Sequence, residues 1–256
     1  MPTLTAPSPP AVRPPVRMEL PVVSFFGRSL EEYTRFFALN PVKLRRCAVL
    51  DVGAGPASFA AEAGRYGIDA VVVDPLYDRT VHALTEQVRQ DYERMFAQMR
   101  VKPSLFRLKS FPSLAAAASD RRAAAQRFLA DYEGNVRHGR YVRGALPLLP
   151  FLDGAFDLVL CAHLLFLYAA RFDFDWHLAA CVELARVSGG EVRIHPLCGA
   201  DGGQGGSAAG RPYPGLERLR RELRGRGIGS SVVPVDYEFF AGSSSMLVLN
   251  PATRGN

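Results

Sequence analysis

Apolar residues recur along the chain in two different periods, and the changes between them outline the elements. After a proline-rich start, MPTLTAPSPPAVRPPVR, the residues Leu30, Tyr33, Phe36 and Phe37 follow helical spacing within RSLEEYTRFFAL (28–39). Ser29 is placed to cap that helix, with Glu32 three positions later, and Asn40-Pro41 ends it. CAVLDV (47–52) and AVVVD (70–74) are continuous apolar runs without alternation, as strands buried on both faces require. Between them SFAAEAGRYG (58–67) reads as a helix closed by Gly67. Residues 79–100 and 111–133 are two helical stretches where one crossover helix would suffice. RYVRGA (140–145), AFDLVLCAH (155–163) and EVRIHPL (191–197) supply further strands, with a helix over 175–187. GADGGQGGSAAG (199–210) reads as a flexible linker, followed by a helix over 214–227 with Pro at its start and Gly beyond its end. Two closing runs, 230–239 and 244–250, lie close enough to pair as a hairpin.

Strands alternating with helices predict an α/β fold. The expected architecture is a doubly wound, mostly parallel seven-stranded sheet with a C-terminal antiparallel hairpin strand and a helical insertion after the second strand. Residues 1–23 are expected to be a disordered tail, and 24–256 a single domain containing the insertion 77–139. Ligands on such sheets bind at the carboxyl ends of the strands, near the point where strand order reverses.

Composition narrows the partners. The 256 residues are 48% hydrophobic and 22% charged, ordinary for a globular domain. The net charge of +6 is carried almost wholly by Arg, and it runs +4, −3, +6 and −3 by fifty-residue blocks, then +2 for the last 56 residues. With no continuous basic block, nucleic acid is not the expected partner; docking of RNA or protein on the basic insertion is the alternative. Cys47, Cys161, Cys181 and Cys198 form no CxxC pair, which argues against a zinc ribbon and suits reduced thiols in a cytoplasm. No apolar run is long enough to span a membrane, and the N-terminus lacks the apolar core of a secretion signal. No metal-ligand pattern stands out: Asp173 and Asp175 flank Phe174, a segment that reads as a cap for the helix at Trp176. Nothing in the sequence sets the oligomeric state.

The chemistry concentrates in VLDVGAGPASFAAE (49–62), where a strand ends in an acid and Gly-x-Gly. A triphosphate loop fails, because Gly55 is followed by Pro56-Ala57-Ser58 with no Lys. A dinucleotide site comes closer: Asp74 lies 21 residues beyond Gly53, able to hold ribose hydroxyls. Against it, Ser58 holds the third glycine position, and Asp51 would face a pyrophosphate at close range. Asp51 suits a ligand carrying an ammonium group, such as S-adenosylmethionine.

VLDVGAG (49–55), VVVDP (71–75) and LPFLDGAFDLVLCAHLLFLY (149–168) occur in one order and spacing. With them the chain resembles the class I S-adenosylmethionine-dependent methyltransferases, in particular an uncharacterised bacterial member of the small-molecule, type 11-like branch. The resemblance covers about 45–200. It implies transfer of a methyl group from S-adenosylmethionine to a small-molecule O or N acceptor. It further implies that Asp51, Gly53 and Gly55 receive the methionine portion, that Asp74 takes the ribose hydroxyls, and that Pro75 and Leu76 wall the adenine. Cys161 would lie beside the sulfonium. One position departs: the family's acid before the LPF segment falls on Ala145, leaving Leu146 to offer backbone contacts. Absence of an NPPY or DPPY tetrapeptide after the fourth strand argues against methylation of DNA bases. A protein that keeps the fold and the cofactor without catalysis is the alternative that Ala145 raises.

Methyl transfer is an in-line displacement that needs alignment first and a base only where the acceptor must lose a proton. His163, at the end of the fourth strand, is the candidate base, with packing against the next helix as its competing role. His195 is on the same sheet edge and reads as structural, and His138 as a surface residue. Tyr33, Tyr168, Phe25, Phe26, Phe36 and Phe37 either line a substrate pocket or belong to the core. The insertion 77–139 is either a lid over the cofactor or a pad on one sheet face.

Overall fold

The computed structural model describes Met18, Leu20, residues 22–199 and residues 210–251. Most of the expected tail and of the linker 199–210 therefore lies outside the described residues. One sheet organises the chain, its seven strands in the order β3-β2-β1-β4-β5-β7-β6. They are β1 (Ala48–Val52), β2 (Asp69–Asp74), β3 (Tyr141–Arg143), β4 (Phe156–Ala162), β5 (Ser188–His195), β6 (Ile228–Pro234) and β7 (Ser245–Pro251). The first five run parallel; β7 is antiparallel to β5, and β6 to β7. The doubly wound sheet, its closing hairpin and the long insertion between β2 and β3 are thus as the sequence predicts.

Alternation along each strand sends side chains to two cores. Val49, Val72, Leu158 and Leu160 face one, under α1 (Leu30–Phe36), α2 (Phe59–Ala63), α3 (Val81–Val101) and α4 (Leu114–Asn135). Leu50, Val52, Val159, Cys161 and Val192 face the other, under α5 (Phe174–Val187) and α6 (Leu216–Arg224). Three caps fix the entries of α1, α3 and α5: Ser29, Thr80 and Asp173 each accept a backbone N–H from the first turn. Asp173 thus caps the helix at Trp176, as the sequence implies.

Two boundaries differ from expectation. The first helix stops at Phe36, because Ala38 turns to a left-handed conformation (φ 50°) before Asn40-Pro41 is reached. The sixth strand was expected to run to 239 but ends at Pro234, whose missing N–H suits an edge strand. Beyond it the chain leaves the sheet and pairs with the insertion: Arg107 and Lys109 donate backbone N–H groups to the carbonyls of Phe239 and Glu238.

A buried ion pair joins the first core across long sequence distance. Arg121 on α4 donates to both oxygens of Glu32 on α1 at 2.7 and 3.1 Å, and Tyr237 donates to the same carboxylate at 2.5 Å. The Arg121 guanidinium also lies 3.7 Å from the centre of the Phe239 ring. With the pair nearly inaccessible to water (side chains 0% and 3% exposed), Glu32→Ala leaves an uncompensated buried cation. We expect that variant to lose about 3–5 kcal/mol of stability, read as a lowered urea midpoint at unchanged slope.

Candidate functional site

Strand order reverses between β1 and β4, and a cavity of about 340 Å³ opens at the carboxyl ends of those strands. Val52, Gly53, Ala54 and Gly55 line it from the end of β1, Asp74, Pro75 and Leu76 from β2, and Gly144, Ala145 and Leu146 from beyond β3. Ala162, His163 and Leu164 close it at the end of β4, with Leu167, Tyr168, Phe172 and Trp176 behind them. Gly53 has φ 67°, and a Cβ there would stand 2.7 Å from the Leu164 side chain, so the turn requires glycine.

The roof is the segment before α1. Ser24 N–H donates to the Tyr168 hydroxyl at 2.9 Å, Phe25 N–H to Asp91 Oδ2 at 2.6 Å, and Gly27 N–H to the Tyr92 hydroxyl at 3.2 Å. A Cβ on Gly27 would come within 2.1 Å of the Pro56 backbone, so this strap crosses the glycine loop only because residue 27 is glycine. Phe25, Phe26, Arg28 and Tyr33 line the cavity from it and from α1, while Phe36 and Phe37 are core. From the insertion 77–139, Met95 lines the cavity, and α3 holds the strap through Asp91 and Tyr92.

Two buried acids flank the loop. Asp74 accepts the backbone N–H of Leu76 at 2.9 Å and of Gly55 at 3.1 Å; burial still raises its pKa to about 6. Asp51 is fully buried behind the wall. It accepts from the Tyr33 hydroxyl at 2.7 Å, its Oδ1 has no partner among the described residues, and burial raises its pKa to about 7. Asp51 therefore meets the cavity through Tyr33, which lines it.

The histidines divide. His163 lines the cavity in a left-handed conformation (φ 54°), its backbone N–H bonded to the His195 carbonyl at 2.6 Å and neither ring nitrogen partnered among the described residues. Burial first, then the charge of Arg28, holds its pKa well below the ordinary range, so the ring is neutral. His195 stacks on Phe36 and bonds through Nε2 to the Ser243 carbonyl at 2.8 Å, a structural role. His138 is exposed.

One expected neighbour is displaced. Cys161 is fully buried in the core beneath α5 and does not line the cavity; alternation along β4 gives that place to Ala162. Cys161 was counted from the strand end without its face. Sequence reasoning also missed Arg28, Met95, Phe172 and Trp176. For Arg28 a signal existed, a lone cation in the apolar run SFFGRSL. All four cysteines are free, no metal-holding cluster occurs among the described residues, and none of their helices is long and apolar enough to cross a membrane.

No family model matches the chain. It is 27% identical over 224 residues to an uncharacterized protein of Methanocaldococcus jannaschii, covering 87% of this chain and 94% of that one. Among solved structures it is similar to a TehB-like SAM-dependent methyltransferase from Corynebacterium glutamicum, with 15% identity, a TM-score of 0.42, and coverage of 82% and 86%. It is likewise similar to a SAM-dependent methyltransferase from Aquifex aeolicus, with 15% identity, a TM-score of 0.41, and coverage of 86% and 95%. The sheet itself, with order 3-2-1-4-5-7-6 and β7 reversed, decides the class. This is the class I methyltransferase fold. In that fold the cavity occupies the switch point, and its acids and glycine loop stand at the strand ends where ligands are met.

The two raised carboxyl groups make stability pH-dependent with a definite sign. Both titrate above their ordinary 3.8, so between about pH 4 and 7 the folded chain holds more protons than the unfolded one. Their contribution to stability therefore falls as pH rises through that window and levels off above it. Asp51→Asn removes one of the two. Its stability relative to the parent should climb by about 1–4 kcal/mol from pH 4 to pH 8, measured as urea midpoints; a difference independent of pH would contradict this.

Proposed function

We propose that the chain is an S-adenosylmethionine-dependent methyltransferase of the small-molecule, type 11-like branch, acting on an O or N acceptor. One juxtaposition carries the reading: the glycine loop of β1, the acid closing β2 and a neutral imidazole ending β4 line a single cavity. The donor set suits that cofactor. Asp74 keeps free lone pairs for a ribose diol, while Tyr33, fixed by Asp51, brings negative potential to the wall where an ammonium would lie. The same two acids would oppose a pyrophosphate.

In this reading the backbone of Gly53 and Gly55 admits the methionine portion, and Pro75, Leu76 and Leu146 wall the adenine. Ala162, which lines the cavity where Cys161 does not, would take the place beside the sulfonium. Held there, S-adenosylmethionine would supply an electrophilic methyl group to the acceptor. The protein's own work is alignment and exclusion of water, by the strap and by the aromatic wall of Tyr168, Phe172 and Trp176. His163, which lines the cavity at the end of β4, is the group placed to take the proton that the acceptor's oxygen or nitrogen releases, at a proton affinity that burial and the charge of Arg28 hold down.

Part of the insertion's charge is used internally: Arg89, Arg94, Lys109, Arg121 and Arg127 each lie within ion-pair distance of a carboxylate of the chain. A second reading, a protein that binds the cofactor without transferring methyl, is favoured by Ala145, which lines the cavity where the family has an acid.

Calorimetric titration tests the reading. S-adenosylmethionine should bind the parent chain, and Asp74→Ala should weaken it by about 10- to 100-fold, the loss of a charge-assisted pair of hydrogen bonds. Binding of NAD in place of S-adenosylmethionine would overturn the assignment. Binding of S-adenosylmethionine with no methyl transfer to any acceptor would leave the second reading.

A further inference from the structure

Arg28 is a buried cation that lacks a buried anion. It is 8% exposed, yet no carboxylate among the described residues lies within ion-pair distance of it. Its Nη1 donates to the Phe26 carbonyl at 2.9 Å, and its Nε is buried without a partner. Glu32, the acid whose charge acts on it, is taken up by Arg121 and Tyr237. Arg121 shows what the same burial looks like when it is balanced. A guanidinium removed from water without a counter-ion is costly, and the fold tolerates it where a ligand supplies the anion.

Where that anion sits follows from the neighbours. The Arg28 carbonyl accepts the Ser58 N–H beside the glycine loop at 3.1 Å. Arg28 and Leu167 line both the main cavity and a smaller one next to it, walled by Met95, Met99 and Phe240; no residue of the glycine loop lines the smaller one. Arg28 thus borders, with Leu167, a chamber that the glycine loop does not line. Around it the wall is apolar and aromatic: Phe25, Phe26, Leu167, Phe172 and Trp176.

We infer that Arg28 anchors a carboxylate of the methyl acceptor, which makes the acceptor a small aromatic or apolar acid. One guanidinium edge, with a nitrogen already used by Phe26, matches the two oxygens of a carboxylate; a phosphate would leave further oxygens against apolar side chains. The anion has a second effect. After burial, the charge of Arg28 does most to keep His163 unprotonated. A carboxylate on Arg28 cancels that repulsion and raises the proton affinity of His163 only when an acceptor is bound. The word acceptor rests on the methyltransferase reading; the acid selectivity does not.

The test uses benzoate, 4-hydroxybenzoate and phenylacetate, each beside its amide, titrated into the full chain with and without S-adenosylhomocysteine. At least one acid should bind about tenfold or more tighter than its amide. Arg28→Gln should level the two, and Arg28→Lys should keep part of the preference. Both variants should bind S-adenosylmethionine within about threefold of the parent, a difference under 1 kcal/mol. Equal binding of acids and amides, binding by none of the three acids, or a preference that survives Arg28→Gln each overturns the inference. A tenfold loss of S-adenosylmethionine affinity in Arg28→Gln also overturns it, by assigning Arg28 to the cofactor's own carboxylate. If Arg28→Gln does not fold, the acid-to-amide ratio in the parent and in Arg28→Lys still decides. Loss of acid preference with S-adenosylmethionine binding intact sinks this inference alone, whereas failure of S-adenosylmethionine to bind sinks the methyltransferase reading.

Discussion

The buried carboxylate of Glu32 holds the roof of the site in place. Through Arg121 it ties α1 to the insertion, and through Tyr237 it ties both to the segment between β6 and β7. α1 has only seven residues, below the length at which a helix is stable alone. Yet α1 carries Tyr33 onto Asp51 and leads out of the strap that covers the cavity. An apolar cluster could supply comparable stability, but it would not fix orientation as a two-oxygen, two-nitrogen pairing does.

Electrostatic imbalance then distinguishes the site from the rest of the interior. Elsewhere the buried charges are matched: Glu32 with Arg121, and Asp91 with Arg94 at 2.6 Å. At the cavity they are not. Among the described residues, Asp51 keeps a buried oxygen with no partner, Asp74 accepts hydrogen bonds from two backbone N–H groups, and Arg28 has no carboxylate within ion-pair distance. The acids lie at the ends of β1 and β2, and the cation lies just before α1. That imbalance is local, so the net charge of the whole chain says little about it.

Most of the sheet was legible because it is coded locally. Two-sided burial writes β1, β2 and β4 as apolar runs, and the backbone of Gly53 needs a left-handed turn that few residues accept. The acid closing β2 and the imidazole closing β4 were legible for the same reason, since strand ends place them. What was not legible depends on partners distant in sequence. Glu32 meets Arg121 across 89 positions and Tyr237 across 205, and no periodicity marks either. The end of β6 at Pro234 follows from a pairing with residues 105–109 that a strand pattern cannot anticipate. Cys161 is a different case: strict alternation from Leu160 would have put its side chain on the α5 face.

The insertion contributes both to a sheet face and to the cavity wall. α4 packs on α2 and so covers the sheet face, while Met95 of α3 reaches the cavity. The covering element, however, is the strap, and the insertion acts on it from behind. Asp91 takes the Phe25 N–H with its charge balanced by Arg94, and the Tyr92 hydroxyl takes that of Gly27. The N–H groups of Ser24, Phe25 and Gly27, so partnered, have no need of water where the strap crosses the apolar cavity. The long crossover between β2 and β3 thereby gives the strap a fixed course, and that course leads to Arg28 at the cavity wall.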